Sequence, residues 1–126
     1  MTCREFLKEL DNHFINPEVV EALDQNYGGV LSDEAARAFS FDLDGLFFEG
    51  GPFARLLDSG TVLFAAELYT QEFEKQSLVP LIDICDGDFV CFDMKDSCWK
   101  AYSVIDDVTF NEADTLKKVC SLCGIV

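Results

Sequence analysis

The pattern of hydrophobic and polar positions is clearest in the C-terminal half of the chain. An apolar run over residues 78–84 and a second apolar run over residues 89–92 flank Asp86-Gly87-Asp88. Glycine supplies the positive φ of a tight turn, and aspartate side chains accept hydrogen bonds from the local backbone. The pattern therefore predicts two antiparallel strands joined at this turn. It also predicts that the second strand has two opposite faces, one with Phe89, Cys91 and Asp93 and the other with Val90, Phe92 and Met94. The second of these sets is the more apolar and should be buried.

A third strand and a final helix follow in the pattern. Residues 98–105 are rich in strand-forming side chains and lie between polar breaks. Asn111 is a typical helix cap, and the apolar residues beyond it recur at the i, i+3, i+4 and i+7 positions of an amphipathic helix. We therefore expect three successive antiparallel strands and a C-terminal helix that lies on the sheet. The apolar stripe of this helix consists of Leu116, Val119, Cys120 and Cys123.

The N-terminal residues predict two helices with clear start signals. Thr2-x-x-Glu5 forms a capping box, and the apolar positions after it predict a helix to about Phe14. Asn16-Pro17 then places a cap before a proline at the first helical position. The second helix should stop before Gly28-Gly29, because glycine favours the left-handed conformation that ends a helix.

The pattern is weaker between these two halves. Ser32 is a typical cap for a third short helix, and Gly51-Pro52 predicts one or two helical turns. Residues 61–76 are ambiguous between strand and helix. Taken together, the elements predict an α+β fold with a central, mainly antiparallel sheet, flanked by N-terminal helices and a C-terminal helix. No linker or repeat divides the chain, so residues 1–126 should form a single domain.

The composition is that of an acidic folded protein. Hydrophobic residues make up 49% of the 126 residues, which is enough for one core. The 24 Asp and Glu residues outnumber the 9 Lys and Arg residues, and the formal net charge is −15. Nucleic acid is therefore not expected as a partner, because phosphate binding requires basic side chains. A basic protein is favoured instead, unless the charge serves only to keep the protein dispersed.

Location and thiol state follow from the apolar segments and the cysteines. No segment resembles a signal peptide or a bilayer-spanning helix, so we expect a cytoplasmic protein with no membrane partner and with reduced thiols. Cys120-x-x-Cys123 has a spacing that permits zinc or redox chemistry. The pair falls at the end of a helix, however, where the dipole does not lower a thiol pKa. We therefore interpret both cysteines as packed and inert.

Aspartates recur in every predicted turn of the sheet. Because turn residues are solvated, we expect these side chains to form an acidic rim that attracts a basic partner. Trp99 lies between them in sequence and is a candidate aromatic anchor, since tryptophan is enriched at binding hot spots. The predicted partner-binding residues are Asp86, Asp88, Asp93, Asp96, Trp99, Asp106 and Asp107.

One short segment suggests catalysis. Phe41-Asp-Leu-Asp-Gly-Leu-Phe47 looks like the nucleophile motif of haloacid-dehalogenase-type phosphatases. That resemblance implies that Asp42 would attack phosphorus, that Asp44 would act as acid and base, and that magnesium would bridge them. Leu46 stands where that family has threonine, and the segment before the motif is a weak strand. A magnesium-dependent phosphatase is therefore the alternative function, and an acidic loop is the preferred interpretation.

Other metal and catalytic patterns fit poorly. A calcium loop centred on Gly45 or Gly87 lacks the required aspartate at its first position and glutamate at its twelfth. His13 is the single histidine, and no nucleophile or orienting partner lies near it in sequence. We therefore expect no catalytic residue, no metal and no cofactor.

The order of the elements resembles the SUKH superfamily, which includes a yeast cell-wall-synthesis regulator and many bacterial immunity proteins. The matching N-terminal segment is Asn16-Pro-Glu-Val-Val-Glu-Ala-Leu-Asp-Gln-Asn-Tyr-Gly-Gly29. The second matching segment is Leu81-Ile-Asp-Ile-Cys-Asp-Gly-Asp-Phe-Val-Cys-Phe-Asp93, and residues 99–119 are similar to the closing strand and helix of that family. Asn16-Pro17 stands where the family more often has Leu-Pro, and residues 31–77 are unmatched.

The resemblance implies a function as well as a fold. Members of the superfamily bind other proteins and carry no catalytic residues, so the chain is expected to be a protein-binding module. The most specific form of this hypothesis is an immunity protein that neutralises a bacterial toxin, for which a basic nuclease domain would be the natural partner of an acidic inhibitor. A regulatory scaffold protein of another pathway is a further alternative.

Overall fold

A single antiparallel sheet organises the structure, which is a computed structural model that describes residues 1–41, 45–63 and 72–126. The strands follow the chain order β1-β2-β3-β4-β5, so each pairs with its neighbours in sequence, and β1 and β5 form the edges. The strands are β1 (Arg55–Leu56), β2 (Leu78–Asp83), β3 (Asp88–Asp93), β4 (Cys98–Ser103) and β5 (Val108–Ala113).

Helices lie before the sheet, between its first strands and after it. This arrangement confirms the predicted α+β class, with N-terminal helices and a C-terminal helix around an antiparallel sheet. Among the described residues, no helix combines the length and hydrophobicity needed to cross a bilayer. The helices are α1 (Cys3–Leu10), α2 (Pro17–Tyr27), α3 (Asp33–Phe39), α4 (Ser59–Leu63), α5 (Glu72–Gln76) and α6 (Leu116–Leu122).

The first three helices start where the sequence predicts. Thr2 and Glu5 form the reciprocal capping box of α1, with hydrogen bonds of 2.9 and 3.1 Å. The Asn16 side chain caps α2 with Pro17 in its first turn, and Ser32 caps α3. Gly28 ends α2 in the left-handed conformation with a φ of 70°. The first helix, however, ends at Leu10 and not at Phe14, because the chain turns at residues 11–12.

Both faces of the sheet are covered. Phe39 of α3 stacks on Trp99, which pairs with Phe92 across β3 and β4. Phe73 of α5 packs edge-on against Phe89 and Tyr102, a cross-strand pair on the opposite face. The predicted burial of Val90, Phe92 and Met94 is confirmed, and the set that contains Phe89 is buried as well. The sheet is therefore a central layer between helices.

Two edge elements differ from the sequence-based expectation. The residues directly after Gly51-Pro52 do not form the predicted helical turns; the chain instead forms the short strand β1, which pairs with β2. Asn111 does not cap a helix but lies in β5, at a φ of 53° beside a register shift in its pairing with β4. Thr115 caps α6 instead, accepting a hydrogen bond from Lys118 N at 3.2 Å. The predicted packing of this helix on the sheet is confirmed by its contacts with β4 and β5.

Candidate functional site

The acidic positions predicted as one rim divide between opposite ends of the sheet. In an antiparallel sheet with this strand order, successive turns lie at alternating ends. The β2–β3 turn (residues 84–87) and the β4–β5 turn (residues 104–107) share one end, here called the double-turn end. The β3–β4 turn (residues 94–97) forms the single-turn end. Six-residue strands separate the two ends by roughly 20 Å.

Asp93 at the single-turn end is a structural residue. It is 7% exposed, which corrects the prediction of a solvated carboxylate. One oxygen, Oδ1, accepts hydrogen bonds from the backbone N–H groups of Lys95 at 2.8 Å and Asp96 at 3.0 Å. The other, Oδ2, lies 2.9 Å from Lys100 Nζ. Burial raises the pKa of Asp93, but Lys100 and the two N–H groups outweigh it and hold the pKa below its usual range. Asp93 thus fixes the turn that it precedes.

Lys100 collects further carboxylates at the same end. Its Nζ lies 2.7 Å from Asp96 Oδ2 and 3.8 Å from Glu112 Oε1. Burial lowers the pKa of Lys100, but the carboxylates of Asp96 and Asp93 outweigh it and raise the pKa above its usual range. Asp96, Cys98 and Glu112 offer ligand atoms within 4.8 Å of one another. Because the ammonium group already supplies positive charge there, this cluster is satisfied within the chain.

Trp99 is not on the surface, which corrects its predicted role as an anchor. Its side chain is 1% exposed and packs against the rings of Phe39 and Phe92. The indole Nε1–H donates to Glu34 Oε1 at 2.6 Å, and the same oxygen accepts from Leu116 N at 3.1 Å. Glu34 of α3 therefore ties the sheet to the start of α6. Trp99 serves the core of the protein.

The two turns of the double-turn end pack against each other. Val104 N donates to Gly87 O at 2.9 Å, and a Cβ at Gly87 would lie 3.2 Å from the Ile105 side chain. Gly87 has a φ of 79°, which confirms the positive φ expected of this turn. Ile105 is 76% exposed and Val108, at the start of β5, is 51% exposed. Two aliphatic side chains are thus presented to solvent beside the acidic turns.

Three aspartates of the double-turn end have free carboxylates. Asp86, Asp88 and Asp106 make no side-chain hydrogen bond or ion pair within the part of the chain that the structure describes. Asp107 differs, because it accepts hydrogen bonds from Tyr102 Oη at 2.7 Å and Gln76 Nε2 at 3.0 Å. Those bonds lower the pKa of Asp107. We define the double-turn surface as Asp86, Asp88, Ile105, Asp106 and Val108.

Sequence reasoning missed the aliphatic members of this surface. Ile105 and Val108 flank Asp106-Asp107 directly, so two large apolar side chains border a polar turn, although most large apolar side chains of the protein lie in its core. Large apolar residues beside a polar turn are the sequence signal for an exposed apolar surface, because apolar residues at turn positions cannot all reach the core. Residue type alone suggested Trp99 as a binding residue, whereas Ile105 can be recognised only from its position in the turn.

Among the candidates that the structure describes, the cysteines form no second site. All six cysteines are free, and Cys120 is buried in the core as predicted. Its hydrogen bond with Cys3 and its burial raise the pKa of the Cys120 thiol, and burial raises that of Cys123. Burial and Glu112 raise the pKa of the Cys98 thiol to about 11. Asp42 and Asp44, the candidate phosphatase pair, lie outside the described residues.

Comparisons with known proteins add no assignment: no family model, no curated protein and no solved structure matches the chain.

Proposed function

We propose that the protein is a non-catalytic protein-binding module that holds a basic partner on the double-turn surface. The observation that carries this proposal is the set of unpaired carboxylates, Asp86, Asp88 and Asp106, in the two turns that present the exposed Ile105. Acidic side chains beside an exposed apolar one suit a partner that combines basic side chains with an apolar contact.

The pairing state of these carboxylates favours binding. A paired carboxylate such as Asp93 must give up a bond inside the chain before it can meet a partner, whereas a free one only exchanges water. The net charge of −15 adds long-range attraction for a basic protein, which raises the rate of association. Ile105 and Val108 would then contribute apolar area that charges alone do not supply.

The resemblance to the SUKH superfamily supports a more specific form of the proposal. The chain would be a bacterial immunity protein that acts in the cytoplasm and neutralises a toxin, with a basic nuclease domain as the toxin that fits its charge. The capped helix from Asn16 to the glycine pair, and the hairpin around Gly87, are the segments that carry the resemblance. In the structure, Gly29 of that pair passes close to the sheet, since a Cβ there would lie 2.7 Å from Met94 Cβ.

The test is co-expression with the candidate toxin encoded beside the gene, followed by association kinetics. A variant with Asp86→Asn, Asp88→Asn and Asp106→Asn should associate about tenfold more slowly than the wild type at low salt, because steering charges act on the association rate. The matched control is Glu9→Gln, Glu18→Gln and Glu21→Gln, which removes three exposed carboxylates from α1 and α2, outside the double-turn surface. It should stay within about twofold of the wild type.

Two results would change the proposal. Equal slowing in both variants would mean that only the total charge matters and that the double-turn surface is not the binding site. Tight binding to a basic protein without protection from any toxin would retain the surface and replace immunity with a regulatory scaffold role.

A further inference from the structure

A groove between α1 and α6 gathers basic side chains in an otherwise acidic protein. Arg4 and Lys8 line it from α1, and Lys117 lines it from α6. These are three of the nine Lys and Arg residues of the chain. None of the three forms an ion pair with another described residue. The groove, with a volume of about 650 Å³, has Asp11 as its acidic side chain.

The helices set the geometry of the cations. Arg4 and Lys8 are four residues apart on one helix, so they lie one above the other with Cβ atoms about 5–6 Å apart. Lys117 faces them from the other helix, with Ser121 one turn further along. Leu7 is half-buried and gives the groove an apolar side. Three donors therefore converge on one space, and a hydroxyl group and an aliphatic surface border it.

The groove continues past Arg4 into a second cleft. That cleft has a volume of about 440 Å³, shares Arg4 with the groove and is bordered by the glycine-rich segment that includes Gly50 and Gly51. Arg4 thus borders both spaces. The groove alone falls within the range of roughly 300–1,000 Å³ that is typical of small-molecule sites.

We propose that this groove binds a compact polyanion of the class of small phosphorylated molecules. Arginine and lysine are the side chains that bind phosphate groups, and here all three are exposed, form no ion pair with another described residue and outnumber Asp11, the carboxylate of the groove. This site is separate from the double-turn surface and takes a ligand of the opposite charge.

The size of the anion follows from the charge of the rest of the protein. At ~0.15 M salt exposed charges act over ~8 Å, so a compact anion in the groove senses mainly the charges that line it, which are Arg4, Lys8 and Lys117 against Asp11. A long anion, such as a nucleic acid or a polyglutamate segment, would extend beyond the groove onto a surface that carries the remaining acidic excess. Repulsion there opposes binding, so the groove selects against extended polyanions.

The test is titration of the protein with inorganic tripolyphosphate at ~0.15 M salt, a concentration at which weak surface pairing is largely screened. Calorimetry should give saturable binding at one site. Amide resonances in two-dimensional NMR spectra should shift in α1 and α6 and not at the double-turn end. A decaglutamate peptide should bind more weakly than tripolyphosphate.

Two variants of equal charge decide the location. The combination Arg4→Gln, Lys8→Gln and Lys117→Gln should weaken tripolyphosphate binding at least about tenfold, because the charge-assisted hydrogen bonds of these side chains to phosphate are lost. The combination Lys75→Gln, Lys95→Gln and Lys118→Gln changes the net charge by the same amount and should bind within about twofold of the wild type. All six side chains are exposed, so both variants are expected to fold, and their NMR spectra report this directly.

The proposal is overturned by absence of saturable binding to the wild type, by equal weakening in the two variants, or by tighter binding of decaglutamate than of tripolyphosphate. None of these results would bear on the double-turn surface, since its residues are unchanged in both variants.

Discussion

At the single-turn end of the sheet, Asp93 is 7% exposed and both of its carboxylate oxygens have partners within the chain. At the double-turn end, Asp86 and Asp106 are exposed and their carboxylates are unpaired. All three aspartates stand in or beside turns of one sheet, yet one of them holds the fold together and the others remain available to a partner. An acidic residue in a turn therefore identifies neither role by itself; the pairing state of the carboxylate does.

The largest effect expected from this comparison is on stability at the single-turn end. Asp93→Ala should lower the free energy of unfolding by about 3 kcal/mol, because it leaves two backbone N–H groups without their acceptor and removes the buried carboxylate from the ion pairs of Lys100. Urea unfolding measures this change. The control is Asp96→Ala, which removes an exposed partner of the same Lys100 and should cost less than about 1 kcal/mol. Equal losses would mean that Asp93 has no special structural role.

A second paired carboxylate, Glu34, lies on α3 and not in a turn of the sheet. Glu34→Ala should lower the free energy of unfolding by about 2 kcal/mol, because the buried indole N–H of Trp99 and the first N–H of α6 both lose their acceptor. Glu34→Gln keeps an acceptor oxygen and should recover more than half of that loss. Thermal or urea unfolding of the two variants gives the comparison, and a Gln variant as unstable as the Ala variant would contradict the hydrogen-bond explanation.

The pH dependence of stability distinguishes the paired aspartate from the unpaired ones. The pKa of Asp93 is lowered in the folded state, so its contribution to stability is present above the unfolded pKa of about 4 and is lost as the pH falls through the folded value. The wild type should therefore lose stability below about pH 4, and Asp93→Asn should flatten this part of the profile. Unfolding measured from pH 6 to 2 tests it, and an unchanged acid slope in the variant would contradict the pairing of Asp93 with Lys100.

The smallest stability effect is expected at the double-turn end. The variant with Asp86→Asn, Asp88→Asn and Asp106→Asn should unfold within about 0.5 kcal/mol of the wild type, since no partner within the described chain is lost. Removing three like charges from a protein of net charge −15 could only favour the compact state. A loss of more than about 2 kcal/mol in urea unfolding would show that these carboxylates are structural, as Asp93 is.

Local signals predicted the helices and the central strands well. Thr2, Asn16 and Ser32 cap helices through hydrogen bonds to residues two or three positions away, so both partners of each bond lie within a short segment of sequence. The turn at Gly87 is equally local. Strand β5 was missed, because Asn111 adopts a positive φ within an exposed edge strand and its polar neighbours resemble a helix start.

The candidate site depends on contacts that local signals do not contain. Trp99 is buried because the register pairs it with Phe92 on the face that α3 covers. Asp93 is paired because Lys100 lies seven residues away on the next strand. The separation of the two ends follows from the strand order alone, but the position of Asp106 and Asp107 beside Gly87 also required β5.

Backbone amide hydrogen exchange in a complex with a basic partner distinguishes the two ends of the sheet, because it reports both of them in one experiment. The partner is a basic protein that the co-expression test identifies, and the free protein is the reference. Binding should slow exchange at residues 84–89 and 104–108 and leave residues 94–97 unchanged. Protection at residues 94–97 with no change at residues 84–89 and 104–108 would contradict the account, since it would place the partner at the end where the carboxylates are already paired.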